Sequence, residues 1–324
     1  MKRLILSLLI TIGILLILFT QISVKDLYHL LVNIDPFWAI WGSASYLLAI
    51  FFRALRFRRL IHSRGISLPE LFRITVFYHL SLMVLPSKLG ELSYPYFLNR
   101  LSGLSVTEGL ATLIASRVYD FFIVLIIFLF SIIGFQHFLQ TNLLLVFFLS
   151  ILLIILTLFA FFYMGSLLSW SSTFLGKTTG WSGFRNSKTI HWIRRKIHEM
   201  AEDFYAIKAR KTYFSVSLVS LASWMMIYYT FYAFLRGFGI EVSFLKVVFG
   251  STIAVIANAL PISGFGNWGT LEAGWAAGFL IVGLSKEEAI ATGLGIHFLI
   301  FLCCTLAALV SWVSLILSGR RGKR

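Results

Sequence analysis

The side chains best placed to do chemistry lie where apolar segments of this chain are interrupted. The first interruption, over 85–91, carries Lys88 and Glu91. Charges at membrane depth are costly and therefore indicate a function or a named partner. Amides freed by Pro86 and Gly90, with the positive end of a half-helix that begins near Gly90, could hold a phosphate while Lys88 supplies full charge. Alternatively, Lys88 and Glu91 pair with each other or reach the interface.

A second candidate pair follows in the next apolar run. Arg117 and Asp120 are three residues apart and therefore share one helix face. They could form an ion pair that only locks helices together, but we favour a site in which Arg117 also faces Glu91 or a phosphate. Arg56, at the end of the preceding apolar run, would add another phosphate-binding guanidinium. The set predicts an anion-binding site.

The second interruption is richer in glycine and poorer in charge. It runs from Leu260 to Glu272 and contains the helix breakers Pro261, Gly264, Gly266 and Gly269. The glycine spacing matches a dinucleotide fingerprint, which we reject because no βαβ unit surrounds it. The glycines instead allow a turn or a close helix approach. His297 and Glu272 predict a proton-responsive second half, although a lone histidine is more often a packing residue, as we expect for His79.

Composition makes this an integral membrane protein. The 324 residues are 59% hydrophobic and only 13% charged, with a mean hydropathy of +0.88. The net charge of +15 is therefore interpreted as topology information and attraction to anionic lipid, and no nucleic-acid partner is expected. Adjacent Cys303 and Cys304 fit neither a disulfide framework nor a metal site. No hydrolase, nucleotide-binding or cofactor motif occurs, so we expect no enzyme activity, no cofactor and no metal.

Apolar runs predict about six spanning helices. They lie at about 4–22, 36–52, 109–134, 142–166, 213–235 and 289–318. The first follows Lys2-Arg3 and is expected to be a retained helix, not a cleaved signal peptide. Two broken segments, about 71–102 and 244–282, are predicted to be re-entrant hairpins. Short cytoplasmic loops are enriched in Lys and Arg. If each hairpin enters and leaves on the same side of the membrane, every basic cluster lies on the cytoplasmic side, together with both termini and the 167–212 loop.

A gapless internal alignment predicts a duplication. Residues 103–112 match residues 283–292 at Gly, Leu, Ser, Glu, Ala and Thr, and the register places His297 at the position of Arg117. One transmembrane domain over 1–324 would then contain repeat 1 (about 1–135) and repeat 2 (about 142–318). Three spans per repeat is an odd number, so the repeats should be inverted, with the first hairpin entering from the cytoplasm and the second from outside. This architecture is typical of transporters.

The 167–212 loop holds one amphipathic helix. Apolar residues recur in it at spacings of three and four: Ile190, Ile193, Ile197, Met200, Phe204 and Ile207. Such a helix could lie on the inner leaflet surface or cap the cytoplasmic end of the bundle. Periodicity alone leaves both readings open.

The short motifs above resemble the lysylphosphatidylglycerol synthase transmembrane, flippase-like family of bacteria and archaea. The resemblance rests on Arg53-x-x-Arg56, Leu85-Pro86-x-Lys88-x-Gly90-Glu91, Arg117-x-x-Asp120 and Pro261-x-x-Gly264-x-Gly266 with Glu272. It implies a lipid-translocating domain, which in the namesake enzymes flips aminoacylated phosphatidylglycerol made by an attached soluble synthase domain. Because no such domain is expected within these residues, aminoacyl transfer is not the expected activity.

We therefore expect a flippase or scramblase-like transporter in the cell membrane. It would move an anionic phospholipid or a polyprenyl-phosphate lipid headgroup through a polar cavity. Arg56, Lys88 and Arg117 would bind phosphate, whereas Glu91, Asp120, Glu272 and His297 would balance charge or respond to protons. The alternatives are a coupled carrier for a small anion and a non-catalytic membrane subunit of a lipid-modifying enzyme or glycosyltransferase. The sequence leaves the oligomeric state open.

Overall fold

The chain folds as a helical bundle. The computed structural model describes residues 24–63, 65–135, 143–181, 188–259 and 266–321, with residues 12, 13, 16 and 20. Regular secondary structure in these residues is helical. Four helices in them are long and apolar enough to cross a membrane, or five if one bent pair counts as a single span. The chain is therefore a polytopic helical membrane protein, and the span predicted at 4–22 lies almost entirely outside the described residues.

The described helices follow one another through short connections. In chain order they are α1 (Val24–Val32), α2 (Pro36–Leu60), α3 (Leu68–Val84), a 3-10 helix (Ser87–Leu92), α4 (Ser93–Ser102), α5 (Val106–Phe135), α6 (Leu143–Trp181), α7 (Lys188–Ala209), α8 (Tyr213–Gly237), α9 (Phe244–Ala259), α10 (Thr270–Ile281) and α11 (Lys286–Arg321). The spans predicted at 36–52, 109–134, 213–235 and 289–318 correspond to α2, α5, α8 and α11. Each of these four is confirmed as a helix of spanning length.

Helices α2 and α8 pack closely against each other. Helix α2 begins where the Asp35 side chain accepts the Phe37 N–H at 2.8 Å, with Pro36 in the first turn. Gly42 then lets the two helices approach, because a Cβ there would lie 2.6 Å from the Phe234 ring. This packing fixes the rotation of α2, and so the direction in which its arginines point.

The first broken segment contains α3, the 3-10 helix and α4. Helix α3 ends before Pro86, which lacks the N–H that a continuing helix needs. In this segment α4 folds back against α3. The segment packs on α2 through Tyr94, whose ring stacks on Phe57 with centroids 4.1 Å apart. Gly103, with φ of +74°, ends α4 in the left-handed conformation that glycine adopts without strain.

The second broken segment contains α9 and α10. These helices pack closely because Gly278 lies against the backbone of Gly250, and Gly274 against Ala254 and Ala257. Residues 260–265 between them, with the predicted breakers Pro261 and Gly264, lie outside the described residues.

The two broken segments meet at their tips. The Gly266 N–H donates to the Leu85 carbonyl at 3.1 Å, and the Asn267 side-chain amide donates to the Leu82 carbonyl at 3.4 Å. Gly266 has φ of +61°, and a Cβ there would collide with the Met83 carbonyl. Glycine is therefore required at this crossing, and the two segments touch through backbone atoms.

Helices α6 and α7 pack together and against α5. Helix α6 is bent by 55° between its two halves, Phe147–Phe159 and Phe162–Leu175. Helix α7 packs on α5 and α6 and buries Phe204 and Ile207, whereas Ile193 stays exposed. The C-terminal part of α7 therefore caps the bundle, as one of the two sequence readings expected.

Candidate functional site

A buried ion pair joins α2 to α5. Nη1 of Arg56 donates to Oδ1 of Asp120 at 2.5 Å, and Nη2 donates to Oδ2 at 3.1 Å. The Trp224 indole N–H of α8 donates to the same Oδ1 at 2.7 Å. The side chains of Arg56 and Asp120 are only 2% and 8% exposed. A buried bidentate pair neutralises both charges and fixes the geometry of the two side chains. Together with Trp224, the pair connects α2, α5 and α8.

Arg117 links that pair to the first broken segment. Its Nε lies 3.3 Å from Oε2 of Glu91, its Nη1 lies 3.4 Å from Oδ2 of Asp120, and its Nη2 donates to the Tyr78 hydroxyl at 2.5 Å. The contact between Arg117 and Glu91 that the sequence suggested is therefore present. Their side chains are 32% and 27% exposed, unlike the buried pair behind them.

Arg53 reaches the same cluster from one turn earlier on α2. Its Nη1 lies 3.1 Å from Nε2 and 3.4 Å from Nδ1 of His79, and its guanidinium lies over the Trp224 ring, 5.6 Å from the centroid. No carboxylate of the described residues lies within ion-pair distance of Arg53. Its buried Nε also lacks a hydrogen-bond partner in the described part of the chain. Sequence reasoning gave Arg53 no role in the site, although its spacing from Arg56 places both on one helix face.

The charged tip of the first broken segment is only partly described. Lys88 lies on the 3-10 helix, and its side chain is outside the described residues. Gly90 packs on α3, because a Cβ there would lie 2.8 Å from the Leu82 Cα and the Ser81 carbonyl. The Ser93 hydroxyl donates to the Gly90 carbonyl at 2.6 Å. Gly90 thus allows the close approach that brings Glu91 to Arg117.

A second acid–base pair lies behind the second broken segment. Nδ1 of His297 on α11 is 2.5 Å from Oε1 of Glu272, and Oε2 of Glu272 accepts the Gly269 N–H at 2.7 Å. Trp268 stacks on the imidazole with centroids 4.0 Å apart and planes 14° from parallel. The side chains of His297 and Glu272 are 2% and 0% exposed. Both side chains are buried, and each carboxylate oxygen of Glu272 has a hydrogen-bond partner among the described residues.

The two broken segments make similar contacts with the long helices that follow them. In each half, a glutamate after the break contacts the basic residue of the long helix that follows, Arg117 or His297. An aromatic residue three positions after each glutamate also reaches the threonine that closes the aligned block, as Tyr94–Thr112 at 3.5 Å and Trp275–Thr292 at 3.2 Å. Arg117 and Thr112 share the gapless register with His297 and Thr292, whereas the glutamates and the aromatic residues are one position out of that register.

A third polar cluster, which sequence reasoning missed, lies where α7 joins the bundle. The buried Glu108 carboxylate accepts the N–H groups of His62 and Ser63 at 2.9 and 2.8 Å, and the Ser63 hydroxyl at 2.6 Å. The imidazole of His62 lies 3.5 Å from Asp203 on α7. Glu108 is one of the residues that the two aligned blocks share, which was the available signal.

Comparison with known proteins gives one match over nearly the whole chain. A family model described as lysylphosphatidylglycerol synthase TM region matches residues 4–308. The matched range contains both acid–base pairs and both broken segments. No curated protein matches the chain.

Proposed function

We propose, from the premise that this chain belongs to the lysylphosphatidylglycerol synthase TM region family, that it moves the headgroup of an anionic membrane lipid across the bilayer. The observation that carries the proposal is Arg117, a partly exposed guanidinium held between two carboxylates and a tyrosine hydroxyl within a span. Arginine within a span is rare and is by default a candidate for a substrate or ion pathway. Its planar fork of donors suits phosphate oxygens.

The contacts suggest how a headgroup would bind. Phosphate oxygens would take the donors of Arg117 that Glu91 occupies, since Glu91 sits on the broken segment and its side chain is partly exposed. Lys88, three residues before Glu91, would add a second cation from the same tip. Arg56 would act as a positioning residue, because its bidentate pair holds Asp120 behind Arg117. Acyl or prenyl chains would stay in the bilayer.

We propose further that the two halves are inverted repeats, each with a re-entrant hairpin, and that both termini are cytoplasmic. The matching contacts of Glu91 with Arg117 and of Glu272 with His297 support the duplication. The contact between the hairpin tips at Leu85 and Gly266 supports a meeting point within the protein, where irregular backbone is tolerated. In this arrangement the second hairpin would serve as a proton-responsive gate, and the first would bind the headgroup.

Reconstituted vesicles test the transport proposal. Purified protein should move a labelled anionic lipid between leaflets, and Arg117→Ala should lower that rate at least about tenfold while the protein stays folded. Arg100→Ala is the matched control, because Arg100 is an exposed arginine of α4. Unchanged movement in Arg117→Ala would remove Arg117 from the site. Movement of a small soluble anion without lipid would instead support the coupled carrier.

A second function is favoured by the exposed end of α7. Trp192 is 55% exposed, and beside it Ile193, Arg194 and Arg195 are exposed as well. A basic surface with an exposed tryptophan suits a non-catalytic subunit that docks a lipid-modifying enzyme. Deleting residues 185–211 would also remove Phe204 from the core, so substitutions confined to the exposed end are the better test. Trp192→Ser with Arg195→Glu should abolish partner binding and leave lipid movement intact if docking is the function.

A further inference from the structure

We infer that Asn267 is a positioning residue for the candidate site: it holds the first broken segment in the place where Glu91 lies against Arg117. The inference rests on the proposed headgroup function and deepens it, because it names a residue of the second broken segment that acts on the first. It starts from the backbone carbonyls at the end of α3.

Helix α3 ends with carbonyl groups that a helix does not satisfy by itself. In a continuing helix the Leu82 carbonyl would accept from residue 86, which is proline and has no N–H. The side-chain amide of Asn267 donates to this carbonyl at 3.4 Å, and the Gly266 N–H donates to the Leu85 carbonyl at 3.1 Å. Because an unpaired carbonyl is costly away from water, these two donors stabilise the end of α3 in its present position.

The residues that follow Asn267 are attached to the buried acid–base pair. Trp268 stacks on the His297 ring with centroids 4.0 Å apart, and the Gly269 N–H donates to the Glu272 carboxylate at 2.7 Å. The side chains of His297 and Glu272 are both buried. Consecutive residues therefore contact different parts of the protein, and the contact of Asn267 with α3 starts from a position that the second half fixes.

The backbone conformation at residue 267 suits asparagine. Asn267 has φ of +64°, in the left-handed region where asparagine is enriched among residues other than glycine. The Leu82 carbonyl can only accept a hydrogen bond, so the amide nitrogen of the side chain is the atom that faces it. Glycine would keep this backbone conformation and lack the amide. The substitution Asn267→Gly therefore removes the donor without straining the turn.

Leu82 connects Asn267 with the candidate site. Gly90 packs directly on it, because a Cβ at residue 90 would lie 2.8 Å from the Leu82 Cα. Glu91 is the next residue, and its Oε2 lies 3.3 Å from Nε of Arg117. A displacement of the end of α3 would therefore displace the backbone of Glu91 as well. The contact that holds Leu82 thus keeps Glu91 on Arg117 and opposes a headgroup that would replace Glu91.

Ligand binding to the full chain in detergent tests this role. The probe is short-chain phosphatidylglycerol, and the readout is the ligand-induced rise in the thermal midpoint. Asn267→Gly should bind the probe about two- to tenfold more tightly than the wild type, because one hydrogen bond no longer opposes the displacement of Glu91. In a Glu91→Ala background the same substitution should leave the affinity unchanged, because its effect passes through Glu91.

A matched control separates positioning from a general loss of stability. Asn99→Ala also removes a side-chain amide that donates to a backbone carbonyl, that of Leu104 at 2.7 Å, and Asn99 is exposed on α4. It should keep the wild-type affinity for phosphatidylglycerol even if its thermal midpoint is lower.

Hydrogen exchange gives a second readout, which does not depend on a ligand. The amides of residues 87–92 should exchange faster in Asn267→Gly than in the wild type or in Asn99→Ala, because the end of α3 is less constrained. If Asn267→Gly does not fold, the wild type decides. Phosphatidylglycerol that displaces Glu91 should speed the exchange of residues 266–269, because coupling between two sites is reciprocal, and unchanged exchange there would overturn the inference.

The outcomes separate this inference from the proposed function. Unchanged exchange of residues 87–92 in Asn267→Gly overturns the inference, and so does equal affinity of Asn267→Gly and the wild type when the wild type binds the probe. Faster exchange in Asn267→Gly, with no lipid bound or moved by the wild type, would support the positioning role and contradict the proposed function. Lipid movement by the wild type with unchanged exchange in Asn267→Gly would do the opposite.

Discussion

The two broken segments present matching acid–base pairs in unlike surroundings. In the first half, Glu91 and Arg117 are about one third exposed, and Arg117 also contacts Asp120 and Tyr78. In the second half, Glu272 and His297 are buried and satisfied by each other, a backbone amide and a stacked indole. In the proposed function, the first pair therefore binds the headgroup and the second pair holds its half closed. Both pairs contain an acid and a base, so what separates them is the exposure of their side chains.

The largest effect should come from removing the carboxylate that anchors the first half. Asp120→Asn leaves the buried Arg56 without its counter-charge, and we expect a loss of about 3–5 kcal/mol in the free energy of unfolding. The double variant Arg56→Gln with Asp120→Asn should recover part of this loss, because it removes the stranded charge. The measurement is denaturation in detergent. A double variant no more stable than Asp120→Asn alone would show that the pair is not the anchor.

The next effect tests whether the halves depend on one another. Gly266→Ala places a Cβ against the Met83 carbonyl at a residue with φ of +61°, so we expect a loss of at least about 3 kcal/mol and slower lipid movement. Gly103→Ala is the matched control, since Gly103 also has positive φ but open space around it. It should cost only about 1–2 kcal/mol and leave lipid movement unchanged. Equal losses in both variants would mean that the tip contact contributes nothing.

Replacing the glutamate of each acid–base pair by glutamine tests the difference between the two halves directly. Glu91→Gln should change headgroup affinity several-fold with little change in stability, because the side chain is partly exposed and lies against Arg117. Glu272→Gln should do the reverse and lower the free energy of unfolding by about 1–2 kcal/mol, because its contacts are internal. Thermal midpoints with and without phosphatidylglycerol measure both quantities. If both variants move the same quantity, the proposed division between the halves is wrong.

The smallest expected effect is a pH dependence of stability due to Asp203 on α7, which lies outside both broken segments. Burial raises the pKa of Asp203 on α7, while the Thr107 hydroxyl and His62 oppose that rise. The folded protein thus holds this proton more tightly than the unfolded chain does. The contribution of Asp203 to the free energy of unfolding is fully present below the ordinary carboxyl pKa, and it is lost as the pH rises through the raised pKa. It amounts to less than about 1 kcal/mol because the residue is partly solvated. Asp203→Asn should flatten that dependence in denaturation measured from pH 3 to 7; an unchanged slope would assign it to another group.

Much of the fold could be predicted from the order of residues. The lengths of apolar runs gave the four spanning helices α2, α5, α8 and α11, since a bilayer fixes the length that a span needs. Pro86 marked the end of α3 through its missing N–H. The bend within α6 was not predicted, because its apolar residues continue through the break without a proline or glycine signal.

The pairing of charges could be predicted only in part. Spacing placed Arg117 and Asp120 on one face of α5, and their contact at 3.4 Å follows from that geometry. Nothing in the sequence showed that Asp120 pairs chiefly with Arg56, or that Trp224 of α8 donates to the same oxygen. These contacts join helices far apart in the chain, and their rotation depends on packing such as that of Gly42 under Phe234.

The sequence by itself determined that this chain lies in a membrane, where its spans and first break fall, and which rare charges lie among apolar residues. These properties depend on hydropathy, covalent geometry and helix period, which act over a few turns. Only the tertiary structure decided that Arg53 contacts His79 and no carboxylate of the described residues, that Glu272 and His297 are buried against each other, and that the two broken segments touch through Gly266. Each of these depends on how whole helices rotate and approach, which close packing across the bundle determines.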